Sequence, residues 1–119
     1  MNQWTVLNSL RRITELDGKG AAAALPLCLA SIEEIRLLLK DGADEDDPRA
    51  VNAAAGLAYY KYTLRKLSDD DSVTSFKAGD VIVSKSASYV MDKASKIRDD
   101  AFVAALPLMR DDSFVFTQA

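Results

Sequence analysis

Apolar residues recur along this chain at intervals of three and four, the spacing of one face of an α-helix, and they do so in four blocks. In the first block, about Gln3 to Leu16, Val6 or Leu7, Leu10 and Ile13 share one side, and the pattern stops at "DGKG", whose two glycines mark a break. The second block runs from about Ala21 to Lys40. Its stripe is Leu25, Cys28, Ile32, Ile35 and Leu39, while Glu33, Glu34, Arg36 and Lys40 fall mostly outside it. Pro26 requires that this helix either begins close to it or bends there, because proline lacks the N–H of a helix interior.

The segment "DGADEDDP" separates the second block from the third. Gly42 suits the end of one helix, Asp46 or Asp47 the cap of the next, and Pro48 its first position. The acidic residues also complement the positive end of the new helix dipole. The third block, Pro48 to Leu67, carries two apolar stripes. Val51, Ala54, Ala55, Ala58, Tyr59 and Tyr62 form one, and Ala53, Leu57, Tyr60, Leu64 and Leu67 form the other. A helix apolar around so much of its circumference is either the central helix of a bundle or one covered on a side by a neighbouring subunit. The small residues from Ala53 to Gly56 allow another helix to approach closely. The fourth block, from about Ser86 or Ser88 to Leu106, places Val90, Ala94, Ile97, Ala101 and Ala104 on one side and ends at Pro107 and "RDD".

Between the third and fourth blocks, after "SDDDS", the helical spacing lapses. The stretch "SFKAGDVIVSKS" holds the β-branched run Val81-Ile82-Val83 and Gly79, a residue suited to a turn. A turn at Ala78 to Asp80 would let Thr74–Lys77 pair with Val81–Ser84 as a short hairpin, and Phe114-Val115-Phe116 offers a further strand-length piece. A two-stranded hairpin is marginal in water, so these pieces are expected either to form a minor sheet beside their own helices or to complete their edges on a neighbouring subunit. The expected fold is therefore mainly α: a single domain over residues 1–119, built as a small bundle of about four helices. It has a short β-hairpin or extended loop at 73–85 before the last helix and an extended C-terminal tail at 111–119.

Composition narrows the function. The 119 residues carry 15 basic and 18 acidic side chains, a net charge of −3, which argues against nucleic acid as the main partner. There is no histidine and one cysteine, so neither a Ser-His-Asp or Cys-His centre nor a zinc site of the usual kinds is expected. Cys28 reads as a small buried hydrophobe. "DGADEDDP" lacks the alternating ligands and distal glutamate of a calcium loop. The carboxylate pairs Glu33-Glu34, Asp69 to Asp71, Asp99-Asp100 and Asp111-Asp112 read as solvated surface. Neither an enzyme nor a cofactor is expected. The longest apolar region, Ala21 to Ala30, is too short to span a bilayer, and "MNQWTVLNSLRR" lacks the basic start and apolar block of a signal peptide, so a soluble protein is expected.

The helix-opening "DDPRAVNAAAGLAYYKYTL", the segment "TSFKAGDVIVS", the later "A..K…RDDA" helix and the ending "DDSFVFTQA" together resemble the head–tail connector (adaptor, neck) proteins of tailed bacteriophages and prophages, over roughly residues 32 to 119. The resemblance implies a structural virion-assembly protein that forms a homo-oligomeric ring on the portal, docks tail components, and resides in the host cytoplasm and then in the virion neck. It implies that the assembly elements are Phe76, Lys77, Gly79, Asp80, Val81, Ile82 and Val83, with Phe114, Val115 and Phe116 as a second docking piece. The alternative from the residues alone is a small helical binding or regulatory module that acts as a one-to-one complex or a dimer.

Overall fold

The computed structural model describes residues 1–69 and 80–110, with the backbone alone at residues 69 and 80–87. Among the described residues four helices follow in order: α1 (Gln3–Ile13), α2 (Gly18–Leu38), α3 (Pro48–Asp69) and α4 (Asp80–Ala105), the last continued by a 3₁₀ turn, Leu106–Leu108.

The starts of α1, α2 and α3 each have a local cause. The Asn2 side chain accepts from the N–H groups of Trp4 and Thr5, both at 3.0 Å, and so caps α1. The Asp17 carboxylate accepts from Gly20 N–H at 2.7 Å. The "DG" of the predicted break is thus the cap and first residue of α2, and the linker between α1 and α2 shrinks to Thr14–Asp17. Asp47 caps α3: its side chain accepts from Arg49 N–H at 2.9 Å and its carbonyl from Val51 N–H at 3.1 Å, with Pro48 in the first position. Pro26 lies well inside α2, so the helix does not begin there. Gly42 sits in the following turn at φ +83°, a left-handed conformation that side chains with a Cβ resist.

Helix α3 is central, as one of the two sequence readings held. Ala50, Val51, Ala53, Ala54, Ala55 and Ala58 are buried along it. Helices α1 and α2 pack on it with Val6, Leu7, Leu10, Cys28, Ile32 and Ile35. Full burial of a side chain such as Leu10 or Ile35 stabilises the fold by about 1.5–3 kcal/mol relative to exposure. On the other flank, among the described residues, α4 packs mainly along α3. Gly56 makes that approach close: a Cβ there would stand 3.2 Å from Ala101 Cβ and 3.3 Å from Arg98 Cα. The Arg98 guanidinium lies 4.2 Å from the centre of the Tyr60 ring, a cation–π contact across the same seam. Ala94 and Ala105 are the buried alanines of α4; Ala104, placed on the inner stripe by the sequence pattern, is exposed.

The chain after α4 returns to the end of α2. Leu39 and Met109 form an antiparallel bridge, in which Lys40 N–H donates to Leu108 O and Arg110 N–H to Leu38 O, both at 2.9 Å. Arg110 Nε adds a bond to Leu39 O at 3.1 Å.

The expected second hairpin strand is corrected by the fold. Residues 81–84 are helical, because α4 begins at Asp80. A β-branched residue costs a helix only about half a kcal/mol, whereas adding a turn to a helix already nucleated and packed costs no new nucleation. Three such residues therefore do not stop it. The first strand, Thr74–Lys77, and the tail from residue 111 lie outside the described residues, and among the described residues there is no strand beyond the single bridge.

Candidate interaction site

Of the ten residues expected to carry assembly, Asp80, Val81, Ile82 and Val83 form the first turn of α4 and its continuation. Phe76, Lys77, Gly79, Phe114, Val115 and Phe116 lie outside the described residues. The register of α4 on α3 places the first group. Gly56 faces Ala101, and Leu67 shares a hollow with Val90, so Asp69 stands about level with Ser88. At 1.5 Å per residue, the eight residues from Asp80 carry α4 about 12 Å beyond the end of α3. Thr14 at the end of α1 meets Tyr59 and Tyr62, and Gly20 at the start of α2 meets Tyr62, so both of these helix ends stop short of that level.

Two hollows open at this end of the bundle, one on each side of Tyr62. The first, about 250 Å³, is lined by Thr14, Tyr59, Tyr62, Leu67 and Val90 among others. The second, about 340 Å³, lies between the start of α2 (Lys19, Gly20, Ala23, Leu27) and Tyr62 and Lys66 of α3. The Lys66 ammonium stands 6.0 Å from the centre of the Tyr62 ring. Sequence reading assigned Tyr59 and Tyr62 to a core stripe and missed this site. Its signal was the Tyr59, Tyr62, Lys66 spacing of three and four at the end of a helix otherwise lined with alanine.

Elsewhere the surface carries isolated apolar residues. Tyr89 (69% exposed) and Val103 (64%) lie on the outer side of α4, with the charged residues Asp92, Lys96, Asp99 and Asp100 between them. Trp4, Leu29 and Leu37 are exposed on α1 and α2.

The opposite end of the bundle is ionic. The N-terminal amine of Met1 pairs with Glu45 at 2.7 Å and with Asp46, and Arg36 donates to Glu45 at 3.0 Å and to Met1 O at 3.1 Å. The bond from the amine, then that from Arg36, holds the Glu45 carboxyl down at about 2. This cluster ties the start of α1 to α2 and to the loop before α3. Cys28 is fully buried, and burial pushes its thiol up to about 11, which leaves it neutral and packed as expected. Among the described residues no group of three or more acidic or thiol side chains is placed to hold a metal ion, and no helix is long and apolar enough to cross a membrane.

No protein family, no curated protein and no solved structure matches this chain.

Proposed function

We propose that this chain is a structural assembly protein of the head–tail connector type, which forms a ring on a portal and docks tail components, and that it is not an enzyme. The observation that favours this reading is the placement of α4. Among the described residues α3 is its main support, and its backbone runs about 12 Å past the end of α3 over the part that holds Val81, Ile82 and Val83. A helix whose backbone continues past the helices described beside it offers a surface that a neighbouring subunit can meet. The assembly element of the sequence reading is thus proposed as a helix end in place of a hairpin edge.

The test is sedimentation of the concentrated chain, alone and with a tailed-phage portal protein. Larger assemblies are expected in at least one case, and Val81→Asp with Ile82→Asp should abolish them while the helical circular dichroism signal stays unchanged. A chain that remains monomeric and indifferent to the portal overturns the reading. A closed one-to-one complex with some other partner would instead mark a regulatory module.

A further inference from the structure

Helix α2 is apolar on both sides. Its inner face, with Ala24, Cys28, Ile32 and Ile35, is buried in the core. On its outer face Leu29 (44% exposed) and Leu37 (72%) are joined by the exposed residues Ala22, Ala23, Pro26 and Ala30. The thirteen positions from Gly20 to Ile32 carry no charge. A helix apolar all round is ordinarily one that is covered all round. We propose that a second copy of the chain covers this face, with the two α2 helices antiparallel about a twofold axis level with Pro26. The inference goes beyond the assembly reading and does not rest on it.

Charge selects the occupant and the register. The strip of α2 within about 40° of Pro26 holds Ala22 and Ala30, four positions away on either side, and Lys19 and Glu33, seven positions away on either side. Lys19 and Glu33 are both exposed, and they are the charges of that strip. The other charged groups of α2 and its cap are engaged to the side of it: Glu34 with Lys61 of α3, Arg36 with Glu45, and Asp17 with the Gly20 N–H. Glu33 also accepts from Arg36 at 3.1 Å, but its side chain is 70% exposed, and an exposed pair of this kind contributes too little to hold it back. An antiparallel copy centred on Pro26 sets each Lys19 beside Glu33 of the other copy, about 10 Å to either side of the axis, and sets Leu29 against the small residues around Ala22. A parallel copy would set Lys19 against Lys19 and Glu33 against Glu33, and an antiparallel one centred on either charge would oppose like charges at its axis. The same patch serves both copies, so the contact is isologous and closes at two. A single helix pair is a small interface, and the dimer is accordingly a weak one.

Sedimentation equilibrium of the full chain carrying V81D/I82D, which lacks the α4 contact of the assembly reading, isolates this one. That chain is expected to show a reversible monomer–dimer equilibrium. Added to it, K19E and E33K should each weaken the dimer at least about tenfold, because each places two like-charge pairs across the axis. A one-to-one mixture of the two should dimerise about as tightly as the parent, since both cross pairs are then glutamate with lysine, and K19E/E33K in one chain should recover in the same way. Should either charge variant fail to fold by circular dichroism, Leu29→Asp, at an exposed position, separates the same dimer from the middle of the strip. A chain that stays monomeric up to about 1 mM, a mixture no tighter than its two components, or a Leu29→Asp dimer as tight as the parent overturns the proposal. None of those results bears on whether the chain with α4 intact assembles with a portal, which the sedimentation test above decides.

Discussion

Single side chains show where this fold carries cost. The Ser31 hydroxyl is fully buried in α2 and has no hydrogen-bond partner among the described residues. An unsatisfied buried polar group costs about 1–3 kcal/mol, and alanine is also the better helix former. Ser31→Ala is expected to raise the unfolding free energy by about 1 kcal/mol, read as a higher urea midpoint with an unchanged slope. A drop in the midpoint would mean that the hydroxyl has a partner, such as an ordered water, that its removal breaks. The neighbouring Cys28 offers the contrast of a side chain whose burial was legible from its spacing, since a thiol on an apolar stripe needs no partner. The demand placed on Ser31 was not legible, because it depends on which residues close over it from another helix.

At the scale of elements, the seam between α3 and α4 depends on one missing side chain. Gly56 gives up the helix propensity of an alanine, about 1 kcal/mol, and gains a backbone approach that Ala101 and Arg98 occupy from the other side. Gly56→Leu should push α4 away and destabilise the fold by about 2–3 kcal/mol, the upper range for overpacking, in a chemical denaturation series. A loss below about 0.5 kcal/mol would show that α4 contributes little to folding. The helices and the central place of α3 were readable in the sequence, because a 3.6-residue stripe of Val, Leu and Ala survives any tertiary context that keeps one face buried. The start of α4 was not. Val81-Ile82-Val83 favours strand as an isolated run, and only the continuation from a packed helix overrides that preference. The hollow beside Tyr62 was equally hidden, since it is built from the end of α1, the last turns of α3 and the flank of α4, and no one of them announces it.

For the whole molecule, the charged cluster at Met1, Arg36, Glu45 and Asp46 closes the bundle at the end opposite the tyrosines. The Glu45 carboxyl titrates at about 2 in the folded chain against an ordinary 4.5, so folding favours its charged form. The stability it contributes is fully present above pH 4.5 and is lost as pH falls from 4.5 through 2. Wild type should therefore exceed Glu45→Gln in stability by a constant margin near neutrality, and the margin should close over that acid window. It should also shrink with added salt, because the Glu45 side chain is 40% exposed and the pair is screened. A margin that persists at pH 2 would show that the substitution acts through packing instead of charge.

The pairing of Leu39 with Met109 has a mechanical side. Arg110 and Leu39 are 71 positions apart in the chain, so closing the seam they share costs the entropy of a long loop. Once closed, it sits between the helices and whatever is attached past Arg110. A pull on that end would load two backbone bonds and one guanidinium bond before any helix feels it, and the last helix would keep its aim while its tether is under tension.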